Sequence, residues 1–233
     1  MSGIINPPEL SRNTTIGVVG LGYVGLPLAI EFGRKYRTTG FDISRKRTEE
    51  LKSGNDSTGE VDATEFAKSE MLSYTNDVRE LEGSDVFVIA VPTPIDSNNR
   101  PDLTAIKSAS TAVGEILVKG AVVIFESTVF PGATEEICIP IIEKTAGMIV
   151  NEDFFAGYSP ERINPGDKDH SLTNVIKVTS GSTPETLNFV DALYGSIVTA
   201  GTHPVSSIRI AEASKVIENT QRDVNIALIN ELA

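Results

Sequence analysis

Thr15-Ile-Gly-Val-Val-Gly-Leu-Gly-Tyr-Val-Gly-Leu-Pro27 is the stretch that decides the fold. An apolar strand runs into glycines spaced G-x-G-x-x-G at Gly20, Gly22 and Gly25, and the helix formers Leu28, Ala29, Ile30, Glu31 and Phe32 follow. That order builds a tight strand-to-helix turn with no Cβ atoms in the way. A pyrophosphate can lie against the positive end of such a helix and bond its free N–H groups. A second strand ends at Asp42, about 20 residues beyond the glycines, where a dinucleotide-binding fold offers an acceptor to the ribose hydroxyls. Glycines alone also mark ordinary turns; the strand, helix and acid around them make the spacing informative. A carboxylate at position 42 repels a 2′-phosphate, so NAD is expected rather than NADP. Arg45, Lys46 and Arg47 follow closely and either neutralise that carboxylate or form a solvated first turn of the next helix.

Composition narrows the class. The chain has 233 residues, 40% hydrophobic and 22% charged, with a formal net charge of -12. No basic cluster stands out, which argues against nucleic acid or an anionic membrane as a partner. No apolar stretch approaches the roughly 20 residues needed to cross a bilayer, and the N-terminus lacks the pattern of a secretion signal. A single cysteine, Cys138, excludes an internal disulfide and fits a reducing cytoplasm. With only two histidines, His170 and His203, no metal site is expected.

Short β-branched runs alternate with longer helical segments. Strands are expected near 15–19, 38–42, 72–75, 86–91, 121–126, 154–158 and 175–179. Helices are expected near 26–36, 45–53, 64–69, 103–118, 134–145 and 184–194. The runs at 86–91 and 122–125 are apolar throughout, as in strands buried on both faces of a parallel sheet. The fold class is therefore α/β, a doubly wound, Rossmann-type, mostly parallel sheet. Residues 54–61 read as a polar, mobile loop. From Val205 to Ala233 the pattern is one continuous helix, with Ile210, Ala213, Ile217, Val224 and Leu228 forming an apolar stripe. No glycine, proline or basic last turn closes it, so the expectation is a truncated connecting helix that led into a second domain. The expected organisation is a tail over 1–12, an NAD-binding domain over 13–204 and the start of a long dimerisation helix over 205–233.

Substrate and nicotinamide lie beyond the carboxyl ends of strands in such sheets. Three loops sit at such ends: Val91-Pro-Thr-Pro94, Glu126-Ser-Thr-Val-Phe-Pro-Gly132 and Tyr158-Ser-Pro-Glu-Arg-Ile-Asn-Pro-Gly166. Proline and glycine also simply punctuate loops, yet three such turns rich in hydroxyls fall on one sheet edge. Thr93 and Thr128 can hydrogen-bond cofactor or water, and Glu161 is a candidate for acid/base or positioning work. On the terminal helix Lys215, Asn219 and Arg222 share one face, either as a solvated stripe or as donors to a developing oxyanion.

The segments GVVGLGYVGLPLAIEFG, GFDISRKR, VPTPID, ESTVFPGATEE, YSPERINPGD and AEASKVIENTQRDVNIALINE occur in this order. Together they resemble the amino-terminal half of the UDP-sugar 6-dehydrogenases, close to the bacterial branch acting on UDP-N-acetylglucosamine or UDP-N-acetylgalactosamine. The resemblance implies NAD-dependent oxidation of the sugar C6 alcohol to a carboxylate in two hydride transfers, for a surface polysaccharide. A cysteine captures the aldehyde as a thiohemiacetal, which is oxidised to a thioester and hydrolysed.

Carried onto this chain, the resemblance implies cofactor contacts at Gly20, Gly22, Tyr23, Val24, Gly25, Asp42, Arg47, Val91, Pro92, Thr93, Ser127 and Thr128. Thr128 would help hold a catalytic water, and Glu161 would act in the hydrolytic half-reaction. Lys215 and Asn219 would stabilise alkoxide and oxyanion. Glu161, Arg162, Ile163, Asn164, Lys215, Asn219 and Arg222 would contact the UDP-N-acetylhexosamine. The long helix would pack in a homodimer.

One departure matters. The family's nucleophile follows the long helix in a Gly-Gly-x-Cys-type segment, and this chain ends before it. Cys138 lies on an amphipathic helix without a neighbouring base and reads as a buried small hydrophobe. The chain is therefore expected to bind NAD without turning over. Alternatives are a UDP-glucose 6-dehydrogenase, a 6-phosphogluconate or β-hydroxyacid-type dehydrogenase, and a stand-alone NAD-sensing module.

Overall fold

The computed structural model describes residues 6–161 and 172–233. Arg162, Ile163, Asn164 and His170 therefore lie outside the described residues. The chain runs β1 (Thr15–Val19), α1 (Gly25–Gly33), β2 (Arg37–Phe41), α2 (Arg45–Lys52), α3 (Ala63–Lys68) and β3 (Leu72–Thr75). It continues through β4 (Val86–Ile89), α4 (Thr104–Ile116), β5 (Val122–Phe125), α5 (Ile139–Ala146) and β6 (Phe155–Tyr158). The last elements are β7 (Lys177–Gly181), α6 (Pro184–Gly195), β8 (Thr202–Pro204) and α7 (Ile208–Leu232).

The described strands form one eight-stranded sheet in the order β3-β2-β1-β4-β5-β6-β7-β8. Every neighbouring pair is parallel except β6 and β7, where Gly157 faces Gly181 and Tyr158 faces Ser180. The order switches direction at β1, which β2 and β4 flank, the place where sheets of this kind bind ligands beyond the carboxyl ends of their strands.

The all-apolar strands are buried on both faces, as their composition predicts. Phe87, Ile89, Val123 and Phe125 enter one core with residues of α4 and α5, including Ile106, Val113 and Ile142. Val86, Val88, Val122 and Ile124 enter a second core with residues of α1 and α6, including Phe32, Val190 and Tyr194. Side chains alternate between faces along a strand, and each fully buried Val, Ile or Phe stabilises the fold by about 1.5–3 kcal/mol.

Four local readings need correction. The helix expected over 134–145 is a π turn at Thr134–Cys138 followed by α5. Pro140 has no N–H for the carbonyl of residue 136, so the regular ladder cannot pass straight through. The terminal helix starts at Ile208 rather than Val205, because the Ser207 hydroxyl accepts the Ile210 N–H at 3.2 Å and caps it. Ahead of it lies the short strand β8, which its composition does not signal. The loop over 54–61 is tied down rather than loose. Asp56 accepts the backbone N–H groups of Thr58, Glu60 and Val61 and pairs with Arg47 at 2.7 Å. Among the described residues, no helix is long and apolar enough to cross a membrane.

Candidate functional site

The β1–α1 turn brings its three glycines into different environments. Gly20 has φ +94°, a left-handed conformation, and its N–H donates to the Phe41 carbonyl at 2.8 Å. A Cβ on Gly25 would lie 1.8 Å from the Gly20 carbonyl oxygen, so helix and strand meet there in backbone contact. A Cβ on Gly22 would meet nothing within 4 Å. Nothing inside the protein requires glycine at position 22. Its bareness leaves room for a group approaching from outside, and the N-terminus of α1 beside it has no side-chain cap. Tyr23 is exposed and Val24 half-buried on the same turn. This is the bare amide cradle that a pyrophosphate fits.

Asp42 stands beside that turn. One carboxylate oxygen accepts the Leu21 N–H at 3.0 Å, and the other accepts the Ser44 N–H at 2.9 Å. The group is thus fixed between the glycine turn and the start of α2, with its outer side half-exposed. Arg47 is not part of a solvated first turn. Its Nε donates to the Leu21 carbonyl at 2.9 Å, and its guanidinium binds Asp56. Arg47 thus supports the glycine turn from behind, with its charge already paired.

At the ends of β4 and β5, Val24, Ala90, Val91, Pro92, Thr93, Glu126, Ser127 and Thr128 line a cleft of ≈ 130 Å³. Its two rims are laced together. The Thr93 hydroxyl donates to the Thr128 carbonyl at 2.5 Å, and the Ser127 hydroxyl donates to the Val91 carbonyl at 2.7 Å. The Tyr158 hydroxyl donates to the Ser127 carbonyl at 3.2 Å. Thr128 itself is exposed.

Beneath this cleft lies an ionic cluster that the sequence reading missed. Glu126, the first residue after β5, is fully buried, and Lys177, the first residue of β7, is 1% exposed. The Lys177 ammonium donates to Glu126 at 2.7 Å, to the Pro160 carbonyl at 3.2 Å and to Glu161 at 3.3 Å. The Tyr194 hydroxyl of α6 donates to the second oxygen of Glu126, and Lys177 lies 5.6 Å from the centre of the Tyr194 ring. Burial pushes the Glu126 carboxyl up to about 7; Lys177 pulls against this and the Glu161 charge adds to it. Burial opposes the Lys177 charge, but the two carboxylates outweigh it and hold the ammonium above the ordinary lysine range. Glu161 is only 6% exposed and is turned onto Lys177. The signals for this cluster were Lys177 inside the β-branched run Val175-Ile-Lys-Val178 and a carboxylate directly after the apolar run of β5.

The base of α7 is anchored to the same loop. Glu212 is fully buried, and its carboxylate accepts the N–H groups of Gly132 at 2.5 Å and Thr134 at 2.9 Å. Burial holds its carboxyl above the ordinary range against those hydrogen bonds. Lys215, one turn further on, is half-buried; Asn219 and Arg222 are exposed, and Arg222 pairs with Glu218 at 2.9 Å. Cys138 is buried in the α4–α5 core, and burial pushes its thiol up to about 11, so it is a packing residue. His203 lies exposed in β8 and is not among the residues that line the cleft.

Comparison with known proteins points to the same cofactor. A family model described as the UDP-glucose/GDP-mannose dehydrogenase family, NAD binding domain, matches residues 14–198. The chain is 60% identical over 222 residues to a UDP-N-acetyl-D-glucosamine 6-dehydrogenase of Pseudomonas aeruginosa, covering 95% of this chain and 53% of that protein. It is 54% identical to protein CapL of Staphylococcus aureus, covering 95% of this chain and 52% of CapL. Among solved structures, UDP-D-ManNAc dehydrogenase from Pyrococcus horikoshii superposes with a TM-score of 0.86 at 36% identity, over 94% of this chain and 53% of that one. The chain thus spans about half the length of the curated relatives it matches.

Proposed function

Because the chain belongs to the UDP-glucose/GDP-mannose dehydrogenase family through its NAD binding domain, we propose that it forms the NAD-binding part of a UDP-N-acetylhexosamine 6-dehydrogenase. The reaction is oxidation of the sugar C6 alcohol to the carboxylate, and the product is a uronate sugar for a surface polysaccharide. The observation that carries the cofactor reading is the contrast at the β1–α1 turn, with Gly20 and Gly25 packed and Gly22 bare. The UDP-N-acetylhexosamine rests on the identity to the Pseudomonas enzyme across nearly the whole chain.

NAD, when bound, accepts the hydride. The chain's own residues do the rest. The amides around Gly22 and the uncapped start of α1 bind the pyrophosphate, and Asp42 accepts from the ribose hydroxyls. Tyr23, Val24, Val91, Pro92, Thr93 and Ser127 shape the wall against the cofactor. Thr128 orients a water, and Glu161 moves its proton in the hydrolytic half-reaction. Lys215 and Asn219 donate to the oxygen that develops negative charge. Arg162, Ile163, Asn164 and Arg222 contact the sugar nucleotide. Arg47 acts on the cofactor from behind, by holding the Leu21 carbonyl. The reading includes a homodimer, supported by the exposed apolar face of α7, and a cytoplasmic site of action, supported by the single buried thiol.

The test supplies the full-length protein with NAD or NADP and, in turn, UDP-GlcNAc, UDP-GalNAc and UDP-glucose. Reduced cofactor is counted per sugar consumed. An alcohol-to-carboxylate oxidation releases four electrons, so two NADH per UDP-N-acetylhexosamine are expected, with little reduction of NADP. One NADH per sugar, or a preference for UDP-glucose, overturns the assignment.

A further inference from the structure

We propose that Lys177 is a positioning residue, a single buried ammonium that fixes the exit of β6, with Glu161, against the exit of β5, with Thr128. The proposal rests on the reading of Thr128 and Glu161 given above and names the device that sets their separation.

The geometry is specific. An ammonium has three N–H donors and no acceptor, and each of the three has a partner here. One goes to Glu126 at 2.7 Å, one to the Pro160 carbonyl at 3.2 Å and one to Glu161 at 3.3 Å. Two of the three partners therefore belong to consecutive residues at the end of β6, and the third opens the loop that carries Ser127 and Thr128. Tyr194 takes the remaining Glu126 oxygen, so Glu126 cannot swing away. The antiparallel β6–β7 pairing is what makes this possible, since it sets the first residue of β7 across from the residues that follow β6.

Stability is a weak reason for the arrangement. Taking several charges out of water costs several kcal/mol per ion, and well-packed apolar replacements of buried ion pairs are often neutral or more stable by about 1–4 kcal/mol. What an ion cluster gives in return is a fixed geometry. An arginine is not equivalent here, because its larger, planar guanidinium presents its donors in a rigid fork rather than from one compact ammonium.

The experiment compares the full-length parent with Lys177→Met, with Lys177→Met/Glu126→Gln and with Lys177→Arg. Losing Lys177 would leave both Glu126 and Glu161 without their cation; the double variant neutralises Glu126, the fully buried one, and keeps the Glu161 carboxylate whose role is tested. NADH formation is followed in the first turnover and in the steady state, with UDP-GlcNAc and NAD saturating. The double variant should keep NAD affinity and the first-turnover burst, while steady-state turnover falls about tenfold or more, because Glu161 serves the later hydrolytic step. Lys177→Arg should not restore it. Steady-state turnover within about twofold of the parent, or burst and turnover falling in equal proportion, overturns the proposal. A parent that forms no NADH with any UDP-sugar sinks the functional reading instead. The positioning claim is then decided by hydrogen exchange. In the double variant the amides of residues 127–129 and of Tyr158, Ser159 and Glu161 should exchange about tenfold faster while those of β1 and β4 stay unchanged. Unchanged exchange there overturns it.

Discussion

A methyl group added at Gly25 would sit 1.8 Å from a backbone oxygen, and one added at Gly22 would sit in open space. Gly25→Ala is therefore expected to disrupt the β1–α1 packing and yield little folded protein. Gly22→Ala should leave the melting temperature within a few degrees of the parent, yet weaken NAD by about tenfold, about 1.4 kcal/mol. Calorimetric titration of folded Gly22→Ala with NAD checks this, and an unchanged Kd would remove the pyrophosphate from that turn. The turn was legible because glycines spaced between a strand and a helix are a local pattern; what presses on them is partly remote, since a Cβ on Gly20 would lie 2.8 Å from the Ala90 carbonyl oxygen. Lys177 and Glu126 were not legible. They meet across a sequence separation of 51, and a lysine in a β-branched run gives no clue to which carboxylate answers it. Arg47 shows the same limit: its sequence neighbours read as solvated, but its guanidinium finds Asp56 in the following loop.

Among the elements, the loop between α2 and α3 shows how one side chain orders a segment. Burial pushes the Asp56 carboxyl up, but hydrogen bonds from Thr58, Arg47 and the backbone of Thr58 and Val61 outweigh it, so the group is held below the usual aspartate range. A depressed folded value stabilises the protein above the unfolded value, roughly 3.9, and that contribution disappears as pH falls through the folded one. Asp56→Asn should thus lower stability by roughly 1–3 kcal/mol near neutral pH, with the gap to the parent closing below about pH 4. Melting curves between pH 7 and pH 3 test this; a gap that stays constant would show that charge plays no part. The loop looked loose in sequence because its residue types favour turns, and the same types can converge on one carboxylate. Strand positions were legible from apolar runs, whereas the direction of β7 was not, since an apolar run reads alike both ways. The indirect clue was that no helix was expected between β6 and β7, and parallel neighbours need a long crossover.

At the scale of the whole molecule, the long helix stands apart from the sheet. Only Ile208, Ala211 and Glu212 of α7 are buried, while Ile217, Val224, Leu228, Ile229 and Leu232 are each more than half exposed. An exposed apolar stripe of this length favours self-association despite the net charge of -12. Sedimentation of the chain should show a dimer at micromolar concentration, and Ile217→Asp with Leu228→Asp should return it to monomer without changing NAD affinity. A parent that is monomeric throughout would refute the association. The sequence showed the stripe but not its accessibility, which depends on how few turns of the helix touch β6 and β7.

Glu212 gives that helix a mechanical character. The carboxylate is held by the amide of Gly132, in the loop that also carries Thr128, and by that of Thr134, at the start of the π turn that follows, so the root of the rod and the rim of the cleft are riveted together. With 25 residues, the rod is about 37 Å long at 1.5 Å per residue. A tilt of about 5° at the rivet sweeps the distal tip through about 3 Å on that length. Conversely, a push on the tip reaches the rim reduced in amplitude and multiplied in force, as in a crowbar.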